Sequence, residues 1–171
     1  VISAYAIDPS TGALSYLCKQ PTRGDIAAHL EFDGTGKFVA SVNYSVLPMD
    51  ARPNRSLAIY PRAADGSLGP VISEAGYEGT GKDPARQERP HAHCVRWTPD
   101  NRFVVVADLG TDRLWVHAFD AASGILLCGT GSAGAGAISI ISDSAGASTG
   151  AGAASSATGA SAAAGASRSS D

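Results

Sequence analysis

Leu114-Trp115-Val116-His117-Ala118-Phe119-Asp120 runs through Ser123-Gly124 into Ile125-Leu126-Leu127, and it is the third occurrence of one pattern in the chain. The first is Ile2-Ser3-Ala4-Tyr5-Ala6-Ile7-Asp8, which passes through Pro9-Ser10-Thr11-Gly12 to Leu14-Ser15-Tyr16-Leu17. The second is Leu57-Ala58-Ile59-Tyr60, which passes through Ala64-Asp65-Gly66 to Leu68-Gly69-Pro70-Val71-Ile72. Each has an apolar strand, an Asp-containing turn closed by Gly, and a second apolar segment, which is the signature of a β-hairpin. The turn glycines Gly12, Gly66 and Gly124 stand 54 and 58 residues apart.

A second motif alternates with these hairpins. His29-Leu30-Glu31-Phe32 precedes Asp33-Gly34-Thr35-Gly36-Lys37 and the strand Phe38 to Tyr44; His93-Cys94-Val95-Arg96-Trp97 precedes Pro99-Asp100-Asn101-Arg102 and the strand Phe103 to Asp108. Helical periodicity is missing from every long window. Four short strands recurring every fifty-odd residues read as the blades of a propeller. The expected fold is therefore all-β, an incomplete β-propeller of about two and a half four-stranded antiparallel blades. It comprises the last two strands of one blade, all four of the next, and four or nearly four of a third. Blades pack face to face, so two apolar faces are expected to lie open and to favour aggregation or pairing.

Two regions follow from composition: a partial propeller over residues 1–128 and a low-complexity tail over 129–171. From Gly129 the chain is almost wholly Gly, Ala, Ser and Thr, whereas the first 128 residues hold every aromatic, proline and histidine. The tail cannot bury enough apolar surface to offset the entropy of ordering, and disorder is expected there. The change falls where another blade should begin, so the expectation is a segment foreign to the domain, with a genuine disordered extension as the alternative. The chain starts Val1-Ile2-Ser3 within a strand pattern and without an initiator Met, as a cut start would.

A net charge of −3 and a pI near 5.7 argue against nucleic-acid binding. No apolar run reaches the ~20 residues of a membrane span, and no signal-peptide pattern opens the chain. Cys18, Cys94 and Cys128 are odd in number and lack C-x-x-C spacing, which fits reduced thiols and a cytoplasmic location.

Candidate chemistry gathers between Gly79 and Asp112. Arg86, His91 and His93 lie on a polar connection into the first strand of a blade, and such connections carry functional residues on a rigid frame. Arginine offers a fork of donors to a carboxylate or phosphate, and histidine exchanges protons near neutrality. On a regular strand His91 and His93 would share a face. Acid/base or substrate-binding work, a structural role, and metal ligation with Asp108 or His29 as third ligand all remain open, although no spacing specifies a metal. His29 occupies the equivalent place in the preceding blade, which favours a structural role for it. His117, between Trp115 and Phe119 on one strand face, reads as packed. Asp108, at a strand end, reads first as a turn aspartate. Gly79-x-Gly81-Lys82 lacks the context of a phosphate loop. No cofactor is implied.

Together Tyr5 to Leu14, Asp33 to Phe38, Val42-Asn43-Tyr44, Arg86-Gln87, Pro90-His91-Ala92-His93 and Ala107 to Asp112 resemble the lactonase family of seven-bladed propellers, the 6-phosphogluconolactonase-like group. The resemblance covers residues 1 to about 127 and implies seven blades in the complete fold. It further implies hydrolysis of an anionic sugar lactone, typically 6-phosphoglucono-1,5-lactone of the pentose phosphate pathway. A related enzyme type, carboxy-cis,cis-muconate cyclase, places its catalytic histidine where His93 stands, so lactone formation is the alternative; a non-catalytic binding or assembly role is another. In the enzyme readings His93 and His91 are catalytic, and Arg86 and Asp108 bind substrate or orient a histidine. The cyclase's remaining functional residues belong to later blades, so little activity is expected of this chain alone.

Overall fold

The computed structural model describes residues 1–44 and 55–127, together with the backbone of 136–139, all within one compact unit spanning Val1–Ile141. Every regular element among the described residues is a strand. A two-stranded antiparallel ribbon pairs β1 (Ile2–Ile7) with β2 (Leu14–Gln20). A four-stranded sheet follows in the order β3 (Ala27–Phe32), β4 (Phe38–Asn43), β5 (Leu57–Pro61), β6 (Ser73–Ala75). A second meander holds β7 (Ala92–Trp97), β8 (Phe103–Asp108), β9 (Arg113–Asp120) and β10 (Ile125–Leu127). The expected half blade and two four-stranded blades are all present.

The recurring turns have a common cause. Asp8 Oδ1 accepts from the amides of Ser10 and Thr11, Asp65 Oδ1 from that of Ser67, and Asp120 Oδ1 from that of Ala122. Each aspartate thereby folds its own turn, and Gly12, Gly66 and Gly124 supply the left-handed backbone that closes it. At Gly124 space matters as well, because an added Cβ would strike the Phe38 ring.

One expectation needs correction. The fourth strand of the middle blade is β6, rather than the Leu68 to Ile72 segment. Pro70 has no N–H to give a ladder, and Gly69 and Leu68 fold back onto Pro61 and Arg62, so regular pairing starts only beyond Ile72. Beyond β10, β11 (Gly136–Ser139) pairs antiparallel with Arg113–Val116 of β9. β10 takes Ala118–Asp120 of the same β9 edge, so two short pieces share one flank. The remainder of the tail, and Cys128, lie outside the described residues.

Two apolar clusters glue the blades. Val39, Ala58, Tyr60 and Leu68 of the middle blade receive Ile2, Ala4 and Cys18 of the ribbon. Phe38, Ala40, Val42, Leu57 and Ile59 on the other side pack against Val95, Val104, Val106 and Phe119. This is why every residue of β4 is buried while β8 alternates. Polar ties cross the second interface too. The Asn101 side chain donates to Asp33 Oδ2 at 2.9 Å and accepts from the Gly34 amide at 3.0 Å. Glu31 accepts from Arg96 Nη1 and from the Trp97 amide. On the outer face of the ribbon Tyr5, Ile7, Leu14 and Tyr16 stand exposed, as do Leu30 and Phe32 on β3.

Candidate functional site

The segment before β7 is anchored by Gln87. Its buried side chain donates to the Leu109 carbonyl at 2.8 Å and to Asp112 Oδ1 at 2.6 Å, and accepts from the Asp83 amide at 2.9 Å. One amide thus ties the loop to the turn after β8. Gly110 completes the join. Its φ is ordinary, but a Cβ there would collide with the Arg89 carbonyl oxygen, so only glycine lets the two segments touch.

Asp108 is the bracket of this arrangement. It is buried, with Oδ1 accepting from the His91 amide at 2.7 Å and the Gly110 amide at 2.9 Å, and Oδ2 from the Trp115 indole at 3.0 Å. All three bonds go to the fold, so Asp108 positions His91 through its backbone and does not face solvent. Trp115 is backed by Tyr77, stacked at 4.6 Å, and the Tyr77 hydroxyl meets His117 Nε2 at 2.9 Å. Burial pushes the Tyr77 hydroxyl well above its usual range and lowers His117 to about 4. His117 is packed, as its alternation with Trp115 and Phe119 implies.

His91 and His93 do not share a face. Ala92 pairs with Asp108 and Cys94 with Ala107, which leaves His93 as the extra residue of a β-bulge. A bulge re-aims a side chain, and here His93 is exposed while His91 is buried. The two meet indirectly through Tyr44. The Tyr44 ring stacks on His91 at 4.3 Å and presents an edge-on contact to His93 at 6.0 Å. His91 Nδ1 lies 2.9 Å from the Tyr44 carbonyl oxygen and Nε2 lies 3.2 Å from Glu88 Oε2. A carbonyl can only accept, so the His91 ring donates from Nδ1 to Tyr44. Glu88 stays ionised readily, its carboxyl lowered by its own backbone amide and by the His91 bond.

His29 is not the counterpart of His93. The middle blade repeats the bulge, with Ala27 paired to Asn43 and His29 to Val42, so Ala28 matches His93 and His29 matches Cys94. His29 Nδ1 accepts from the Val95 amide across the blades, a structural contact. Arg86 stands exposed on the loop, its amide bonded to the Asp83 carbonyl, with no side-chain hydrogen bond to His91, His93 or Asp108. Among the described residues no three His, Cys, Asp or Glu side chains gather as a metal set. Tyr44, Gln87 and Glu88 are site residues that sequence reasoning did not select. Tyr44 ends an apolar strand 47 residues before His91, and only the packing of two blades brings them together.

Comparison with known proteins agrees with the propeller fold. Residues 1–136 match the family described as lactonase, 7-bladed beta-propeller. A 6-phosphogluconolactonase of Bacillus subtilis (strain 168) is 36% identical over 117 residues, covering 68% of this chain and 31% of that protein. A Bacteroides fragilis crystal structure, provisionally assigned as a 6-phosphogluconolactonase, superposes with a TM-score of 0.66 at 31% identity, over 81% of this chain and 37% of the other. The periplasmic gluconolactonase of Pseudomonas aeruginosa superposes with a TM-score of 0.61, also at 31% identity, over 68% and 31%. The chain spans about a third of the length of these relatives.

Proposed function

The chain belongs to the family of 7-bladed β-propeller lactonases, and we propose on that premise that it supplies part of the active site of a sugar-lactone hydrolase. The observation that carries the reading is the β-bulge that lifts the exposed His93 out of the sheet beside Tyr44. His93 is the proton-transfer residue. It takes a proton from water as the water oxygen attacks the lactone carbonyl, then returns it to the ring oxygen as the C–O bond breaks. Arg86 meets an anionic group of the substrate, which fits a phosphorylated aldonolactone of the kind handled in the pentose phosphate pathway. His91 and Asp108 act by holding Tyr44 and the start of β7. The names of the relatives favour hydrolysis over lactone formation.

Free Cys18 and Cys94 support a cytoplasmic site of action, although one relative is named as periplasmic. No helix among the described residues is long and apolar enough to cross a membrane. The test is ring opening of 6-phosphoglucono-1,5-lactone, measured for the chain and for a propeller in which it is joined to further blades. The chain alone is expected to stay near the spontaneous rate. In the joined protein His93→Ala should lower kcat by about 10²–10⁴-fold. A rate indifferent to that substitution would remove His93 from the chemistry.

A further inference from the structure

Three charged side chains meet away from His93. Glu74 of β6 accepts from Arg23 Nε on Oε2 and from Arg55 Nε on Oε1, each at 3.0 Å. The Glu74 carboxyl is lowered, chiefly by the Arg23 bond, and is ionised near neutral pH. Two guanidiniums thus share one carboxylate, and the cluster carries one net positive charge. Both arginines engage Glu74 through Nε, and among the described residues their Nη groups have no hydrogen-bond partner.

The backbone is arranged to set these two arginines side by side. Arg23 has φ 65, a left-handed conformation that costs energy in any residue with a Cβ. The Arg55 amide donates to the Arg23 carbonyl at 3.2 Å, and Asn43 Nδ2 donates to the Thr22 and Arg55 carbonyls at 2.8 and 2.7 Å. Gly24 permits the approach, because a Cβ there would collide with the Arg55 carbonyl oxygen and the Asn43 side chain. Stability is a weak reason for such an arrangement. The arginine side chains are 43% and 42% exposed, and ion pairs so open to water contribute little.

An open pocket of about 460 Å³ lies beside the cluster, between the end of β2 and the connection into β6. Arg23 and Glu74 line it, with Pro21, Val71 and Ile72 as apolar walls, while Arg55 is not among its described lining residues. Arg55 therefore offsets the Glu74 charge from outside and leaves that of Arg23 uncancelled within. The space has the size of a small-molecule site. We propose that this pocket binds a small organic anion, a phosphate monoester or a carboxylate. Its charged oxygens take the Arg23 Nη groups, and its apolar part lies along Pro21, Val71 and Ile72. The site shares no residue with the His91–His93 constellation and stands independently of the lactonase reading.

The test titrates phenyl phosphate and benzoate, and their bare head groups inorganic phosphate and acetate, into the full 171-residue chain. Calorimetry gives the affinities, and NMR follows the Nε–H signals of Arg23 and Arg55. Both signals should move along one saturating curve with phenyl phosphate or with benzoate. That probe should bind at least about threefold more tightly than its bare head group, because the apolar walls cover its ring. A response confined to phenyl phosphate assigns the site to phosphate monoesters, and one confined to benzoate assigns it to carboxylates. Arg23→Gln should weaken binding about tenfold and Arg23→Lys should recover part of the loss. Arg55→Gln should weaken it about threefold through charge alone. Arg102→Gln, on the exposed turn between β7 and β8, should change little. Thermal unfolding identifies any variant that fails to fold, and the signals of the unaltered chain then decide. The site is overturned if no probe moves the Arg23 signal, if the bare head groups bind as tightly as the aromatic anions, or if Arg102→Gln weakens binding as much as Arg23→Gln. Lactone turnover plays no part in these readouts, so the failure of either reading leaves the other standing.

Discussion

His117 shows how much a single buried side chain can govern. It sits against Tyr77 with its ring nitrogen on the phenol hydroxyl, and burial lowers it from 6.5 to about 4. In that window the unfolded chain binds a proton that the native state refuses. Stability is complete above the unfolded value and drains away as pH falls from 6.5 towards about 4, by roughly 3 kcal/mol in all. His117→Gln, which can still bond the Tyr77 hydroxyl, should flatten this acid limb in unfolding midpoints measured across pH. An unaltered limb would move the cause elsewhere. Gly110 is the other decisive residue. Gly110→Ala drives a methyl into the Arg89 carbonyl, a backbone atom that cannot yield cheaply, and should cost about 1–3 kcal/mol. The same variant should expose the His91 amide to faster hydrogen exchange, because the Asp108 bracket opens with it.

Among elements, the turn between β7 and β8 does more than reverse the chain. Asn101 has φ 58 and uses both ends of its amide on the Asp33 turn of the neighbouring blade. Burial raises the Asp33 carboxyl, but bonds from Thr35, the Phe38 amide and Asn101 outweigh this and leave it lowered. Asn101→Gly keeps the backbone and loses the two ties, so about 1–3 kcal/mol is expected from denaturant unfolding. Asn101→Ala should be worse by about 1 kcal/mol, since a Cβ strains the left-handed backbone. The reverse order would show that the ties carry little. Asp turns and strand pairings of this kind were legible in the sequence because they are local: an aspartate, a glycine and flanking apolar runs suffice. The bulge was not legible. Nothing in Ala92-His93-Cys94 announces an extra residue, which is why the two histidines seemed to share a face and His29 seemed the partner of His93. Tyr44 and Glu88 were hidden for a related reason, since their roles exist only once two blades approach.

For the molecule as a whole, the outward faces matter most. Tyr5 and Tyr16 meet edge to face at 5.6 Å, and with Ile7 and Leu14 they leave an apolar surface uncovered on the ribbon. Leu30 and Phe32 add another on β3. Such surfaces drive association. Sedimentation should show the 171-residue chain forming concentration-dependent oligomers, and Ile7→Lys with Tyr16→Glu should shift it towards monomer. A chain that stays monomeric at high concentration would show these faces to be tolerable in water. The repeated bulge has a consequence of its own. Ala28 and His93 occupy the same address in successive blades, one blank and the other inscribed. A blade frame that already lifts this position out of the sheet needs no new backbone to acquire chemistry, only a different codon. Ring architectures of this design can therefore relocate a reactive group around the axis, one blade at a time, while the scaffold beneath it stays as it was.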